Sequence, residues 1–258
     1  MHLPEDYRND EGILICGVCG KPKEIKFNLM GFERTVPCLC DCGAKERDDI
    51  DEAWATKQNM IRVSDMRIEN IRDKERRNSR FETAEMTPNL MKCKKYVDNW
   101  KEVREKNAGL MMWGTCGNGK SFAASCIANA LIDQGIPALM TSFPAILSDN
   151  DNTVEVAKQM QKFELVILDD LGAERQSEYA MEKVFYIIDE RYKSHKPLIV
   201  TTNQPLALMK QYRNGDDMTY SRIYDRLFEM CTPMMFETPT RRIAPQQEKE
   251  ELLRTVLA

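Results

Sequence analysis

The chain has 258 residues, 42% hydrophobic and 30% charged, a balance that fits a folded globular protein and excludes a disordered one. Its 37 basic and 41 acidic residues give a formal net charge of −4, which excludes a globally basic nucleic-acid binder and leaves any such contact to a local patch. No stretch approaches the ~18 uncharged apolar residues of a membrane span, and residues 1–12 are polar and acidic rather than leader-like. A cytoplasmic protein without membrane contact is therefore expected.

In chain order, the first zone is residues 1–43, punctuated by Cys and Gly, with short extended pieces at 13–15 and 23–28. Five of the nine cysteines fall here: Cys16, Cys19, Cys38, Cys40 and Cys42. In a reducing compartment such a cluster reads as metal ligation rather than disulfides. Cys16-x-x-Cys19-Gly20 has the form of a zinc knuckle, and four thiolates at ~2.3 Å would close a tetrahedral Zn²⁺ site. Five cysteines compete for four places, and the spacing of Cys38, Cys40 and Cys42 leaves the second pair open. Free cytosolic thiols are the alternative. A catalytic thiol is disfavoured, because the only histidines are His2 and His195. So short a segment builds little core, so metal would supply its folding energy.

The second zone, residues 44–80, is strongly charged. A polar helix is expected over 44–61, followed by a connector in which Arg67, Arg72, Lys74, Arg76, Arg77 and Arg80 mix with acidic residues. The connector reads as a solvated linker or as a tracker of phosphate backbone. We divide the chain at residues 66 and 67, into a 1–66 Cys-rich module with its helical connector and a 67–258 catalytic domain.

The third zone alternates helix and strand. Helices are expected at 91–106, 120–134, 153–162, 178–192 and 221–230, and strands at 109–113, 137–141, 165–168, 198–202 and 234–236. This alternation predicts an α/β fold, a parallel sheet covered by helices on both faces.

Between the first of these strands and its helix lies Gly114-Thr115-Cys116-Gly117-Asn118-Gly119-Lys120-Ser121, the phosphate-loop pattern, followed by Phe122. Glycines let backbone wrap a phosphate, and amides at a helix start supply positive potential. These nine residues are assigned to ATP, with Lys120 bridging the β- and γ-phosphates and Ser121 on Mg²⁺. The apolar strand from Leu165 to Leu168 ends in Asp169 and Asp170. Asp169 fits the Mg²⁺ acid and Asp170 the group that orients or deprotonates the attacking water. Asn203 tips a third strand, where it can hold that water or the γ-phosphate, or simply serve a turn. Arg222 and Arg226, at i and i+4, fit a solvated helix face or an arginine finger offered to a neighbouring subunit.

Taken together, "GLMMWGTCGNGKSFAASCIANALI", "LVILDDLGAERQSEYAMEKVFYIIDERY", "KPLIVTTN" and "SRIYDRLFEMC" resemble the AAA+ helicase loaders of the DnaC and DnaI type and their IstB-type transposition cousins. The resemblance covers about residues 80–245 and points to a phage or Firmicutes-type member. It implies an AAA+ P-loop ATPase with Asn203 as sensor 1, Arg226 as the arginine finger with Arg222 its companion, and Arg241 as a sensor-2-like residue. It implies that Phe143, Ser177 and Tyr179 face single-stranded DNA, and that the zinc module grips a replicative DnaB-type helicase. Self-association through the AAA+ domain is also implied. The few residues after Phe236 leave room for little or no helical lid. The expected function is ATP-dependent helicase loading in DNA replication, with ATP used as an assembly switch. The alternatives are a transposition helper acting on duplex DNA and a zinc-dependent ATP-binding adaptor with little turnover.

Overall fold

The structure, a computed structural model, describes residues 4–148, 153–172, 178–237 and 253–254. The chain divides into two compact units, Met1–Arg62 and Val63–Ala258.

In the first unit β1 (Tyr7–Arg8) pairs antiparallel with β2 (Leu14–Ile15), and β3 (Glu24–Leu29) with β4 (Phe32–Pro37). The sequence reading contains no counterpart of β4. Its hairpin turns on Met30-Gly31, both at positive φ (52° and 87°), which matches the twist of paired strands. A Met in the first turn position carries no turn signal. Helix α1 (Asp41–Asn70) is longer at both ends than the expected 44–61. No Gly or Pro lies between Ala44 and Asn70 to stop it.

In the second unit β5 (Gly109–Trp113), β6 (Ala138–Ser142), β7 (Leu165–Leu171), β8 (Leu198–Thr202) and β9 (Cys231–Met235) form one parallel sheet in the order β6-β7-β8-β5-β9. The helices are α2 (Pro88–Asp98), α3 (Trp100–Glu105), α4 (Lys120–Asp133), α5 (Phe143–Leu147), α6 (Thr153–Met160), α7 (Glu178–Lys193), α8 (Leu206–Arg213) and α9 (Met218–Met230). Strand residues alternate between two cores. Met112, Leu165, Ile167 and Ile199 pack with α2 and α4, while Met111, Val166, Leu168, Leu198 and Val200 pack with α5 to α9. Burial on both faces explains why the strands read as continuous apolar runs. Pro233 is tolerated because β9 is an edge strand.

Several expectations are corrected. The helix expected at 91–106 starts earlier, at a Thr87 cap with Pro88 in its first turn, and breaks at Asn99 into α2 and α3. The last strand begins at Cys231, directly after α9, rather than at 234. The short helices α5 and α8 have no counterpart in the sequence reading. The connector arginines are largely committed to the protein itself. Arg77 donates to the carbonyls of Ile68 and Ile71, Arg80 to those of Arg77 and Ser79, and Arg67 to Asn129 and Asp133. Arg67 ties the end of α1 to α4, Arg80 pairs with Asp133 of α4, and Ile71 bridges in parallel to Met140 on the β6 edge. Among the described residues, no helix is long and apolar enough to cross a membrane.

Candidate functional site

The phosphate loop joins β5 to α4 at the C-terminal edge of the sheet, where open α/β sheets bind ligands. Gly114, Gly117 and Gly119 all lie at positive φ. Gly119 is the N-cap of α4 and provides no side-chain cap, and a helix start of this kind favours an anion. The loop is braced from below. Asn118 is buried and its Nδ2 donates to the carbonyl of Phe236 at 2.5 Å, while a Cβ at Gly114 would overlap that same carbonyl. Phe236 in turn donates its amide to Trp113. Sequence reading missed this brace, because nothing local marks Phe236. Thr115 and Cys116 are exposed, and the half-buried Phe122 packs against the core below α4.

Lys120 is buried, and its Nζ donates to the carbonyls of Gly114 (2.9 Å) and Thr115 (2.8 Å) and to Oδ1 of Asn118 (3.1 Å) and Asn203 (2.9 Å). Asn203 sits just past β8 and reaches the loop from its neighbouring strand.

Thr201, also missed by sequence reading, organises the two carboxylates. Its hydroxyl donates to Asp169 Oδ1 at 2.5 Å and accepts the amide of Asp170 at 3.0 Å. Asp170 has φ 59°, and the β7–β8 register shifts between Leu168 and Leu171. This bulge interrupts the strict alternation that would send adjacent side chains to opposite faces. Burial pushes the Asp169 carboxyl above the usual carboxylate range, and the nearby Asp170 charge adds to it. Hydrogen bonds from Thr201 and Ser121 oppose the shift. A half-buried carboxylate in contact with a serine hydroxyl suits a divalent cation, so Ser121 and Asp169 fit Mg²⁺.

The arginines of α9 differ. Arg226 forms an ion pair with Asp189 of α7 at 2.7 Å and lies over the rings of Phe185 (4.6 Å) and Tyr192 (5.6 Å). Arg222 is exposed and makes no ion pair among the described residues. Of the residues expected at DNA, Tyr179 is 62% exposed in the first turn of α7, with Lys183 Nζ 4.5 Å from its ring centroid. Phe143 requires a correction. It is fully buried at the first position of α5, packed with Ile146, Val166 and Leu168, and presents no face for a base to stack on. Ser177, Arg241 and the segment bearing on a lid lie outside the described residues.

In the first unit Cys16, Cys19, Cys40 and Cys42 converge, all four Sγ atoms lying within 4.8 Å of one another. The contacts of Cys42 to Cys40, Cys16 and Cys19 are 3.3, 3.4 and 3.5 Å. A tetrahedron of ~2.3 Å metal–sulfur bonds has edges near ~3.8 Å, so the set fits zinc. Cys38 is the cysteine left out. It still pairs in extended backbone with Lys23, and its thiol faces the carbonyl of Pro22 at 3.5 Å. The chain coils into α1 only after it, which draws Cys40 and Cys42 together. Amides of Cys42 and Lys21 hold the Cys19 thiol down to about 6, and those of Cys19 and Val18 lower Cys16. Cys42, hydrogen-bonded to Cys40, Cys16 and Cys19, is pushed up to about 12. Amide donors around crowded sulfurs are what a thiolate metal site requires.

Comparison with known proteins matches residues 65–248 to the model of the IstB-like ATP binding protein family. An insertion sequence ATP-binding protein of Sinorhizobium fredii is 29% identical over 59% of this chain, which spans about half (52%) of that relative's length. The replicative helicase loader DnaC of Escherichia coli is 24% identical over 68% of this chain and 78% of its own. A crystal structure of DnaI superposes with a TM-score of 0.55 at 22% identity, covering 66% of this chain and 93% of that one. At that identity the superposition speaks for the fold, and the family match spans most of the chain. The chain belongs to the IstB-like ATP-binding proteins, and its ATP-binding domain is of the AAA+ ATPase type.

Proposed function

We propose that the protein is an ATP-dependent helicase loader of DNA replication. The observation that carries this reading is the closed set of four thiols, held in a unit separate from the one that bears the phosphate loop. Zinc in that set would supply folding energy to a small module, which then offers a folded surface to a replicative DnaB-type helicase.

In the second unit, the α4 amides and Lys120 bind the phosphates of ATP. Ser121 and Asp169 hold Mg²⁺, and Asp170 orients the attacking water with Asn203 opposite it. Subunits assemble side by side, so that an arginine of α9 reaches the neighbour's nucleotide. Arg222 is the better placed of the two, because Arg226 is engaged by Asp189. ATP then acts as a switch that orders the assembly and releases it on hydrolysis. Single-stranded DNA is contacted at the start of α7, through the exposed ring of Tyr179.

The test is a pull-down with Mg-ATP against the replicative helicase encoded by the same genome, read by native mass spectrometry. The expected result is a stoichiometric complex that fails for Cys16→Ser/Cys19→Ser while nucleotide binding persists. The insertion-sequence relative favours a second reading, a transposition helper assembling on duplex DNA. No complex from folded, zinc-loaded, ATP-bound protein, together with tighter binding to duplex than to single strands, would select it.

A further inference from the structure

Tyr224 is 2% exposed, yet its hydroxyl is not idle. It donates to Oε1 of Gln204, the residue after Asn203. Gln204 is itself fixed at two further points. Its amide donates to Thr202 Oγ1 at 3.1 Å, and Thr202 Oγ1 donates to the carbonyl of Leu171 at 2.7 Å. Its carboxamide also lies against Gly172, the residue that follows β7. Gly172 has φ 88°, and any Cβ there would overlap Gln204 Nε2. One side chain thus touches the end of the strand bearing Asp169 and Asp170, adjoins Asn203, and holds α9 by Tyr224. Two residues before Tyr224 on that helix is the exposed Arg222.

Helix α9 packs through Ile223, Tyr224, Leu227 and Met230, and polar contacts tie it to α7 and α8, Arg226 to Asp189, Glu229 to Tyr192 and Asp225 to Arg213. Apolar contacts tolerate small slides and rotations, whereas a buried hydrogen bond fixes register. The Tyr224 ring is already secured by stacking on Tyr212 at 5.4 Å. Its hydroxyl adds a directional link to the nucleotide edge that stacking does not supply.

We propose that Gln204 and Tyr224 are positioning residues. Their hydrogen bond sets α9 relative to the strand ends of its own subunit, and so sets the arginine that α9 offers to the neighbour's nucleotide. The inference rests on the reading that Arg222 acts in trans. It predicts a defect that belongs to the donor of the arginine and not to the subunit that binds the ATP.

The experiment uses full-length Tyr224→Phe, Gln204→Met and the double variant, with Arg222→Ala as reference. ATP affinity is expected to stay within about twofold of the parent. Steady-state hydrolysis should fall by roughly three- to tenfold, the size of one buried hydrogen bond, with the double variant no worse than the poorer single. Excess Lys120→Ala protein, which brings an intact α9 and no working site, should restore hydrolysis by Tyr224→Phe as it does by Arg222→Ala. A general loss of folding would not be repaired this way. If Tyr224→Phe hydrolyses at the parent rate, or only Arg222→Ala is restored, the positioning role is wrong and the trans reading survives. If Arg222→Ala is undamaged or is not restored, the trans reading fails and takes this inference with it.

Discussion

The ammonium of Lys120 lies 2.9 Å from Oδ1 of Asn203, a residue 83 positions away at the tip of another strand. The contact makes one site of two motifs, and it separates their roles. Lys120 donates to three oxygens of its own loop as well as to this one from β8's end. Lys120→Ala should abolish nucleotide binding. Asn203→Ala leaves the loop intact, so ATP affinity should change by less than about threefold while turnover falls by roughly 100-fold. Titration of a fluorescent ATP analogue beside steady-state phosphate release measures both. Equal loss of affinity and turnover would make Asn203 a ground-state ligand instead.

The two arginines of α9 should fail in different ways. Arg226→Ala removes an ion pair to the mostly buried Asp189 and two ring contacts. It should cost about 1–3 kcal/mol, a fall in Tm of roughly 2–10 °C, with Lys193 left as the remaining partner of Asp189. Arg222→Ala should leave Tm within about 1 °C, since surface changes are nearly neutral, and lower hydrolysis by roughly 10³-fold. Thermal melts and ATPase rates on both variants decide it. A stable Arg226→Ala protein that has lost hydrolysis would return the finger to Arg226.

These differences follow from what a sequence can carry. The phosphate loop was legible because glycines, lysine and serine act through adjacent backbone. The parallel sheet was legible because burial on both faces forces apolar runs such as Leu165 to Leu168. What stayed hidden depends on which elements meet. Arg222 and Arg226 share a helical spacing, and only the packing of α7 on α9 tells them apart. Thr201 lies in an apolar strand, and its role arises from the bulge opposite it in β7. Phe143 follows a strand like a loop aromatic, but Ser142 and Pro144 start a helix there and turn the ring inward. Cys38 differs from Cys40 only in where the chain begins to coil.

The burial of Phe143 and the exposure of Tyr179 give opposite expectations at the DNA interface. Phe143→Ala empties a fully buried site and should destabilise the second unit by about 3–5 kcal/mol, without a specific effect on DNA. Tyr179→Ala removes an exposed ring at little cost to folding. If that ring stacks on a base, affinity for single-stranded DNA should fall by roughly 5- to 150-fold. Fluorescence anisotropy with an oligothymidylate tests both. Unchanged binding by Tyr179→Ala would leave the ring a surface residue.

The cysteine cluster makes a prediction that distinguishes five otherwise similar residues. Native mass spectrometry should count one zinc per chain in the parent protein. Cys38→Ser should keep it, because the Cys38 thiol faces the carbonyl of Pro22 and not the other sulfurs. Cys16→Ser, Cys19→Ser, Cys40→Ser and Cys42→Ser should each lose it or bind it far more weakly. Small zinc modules draw ~10–16 kcal/mol of apparent folding energy from their metal, so these four variants should lose the fold of the first unit. The second unit has its own sheet and two cores, so ATP affinity and its melting transition should be unaffected. A chelator added to the parent should reproduce the four variants. Zinc lost with Cys38→Ser and kept with Cys40→Ser would exchange the fourth ligand, and zinc kept by all five would mean that the sulfurs converge without a metal.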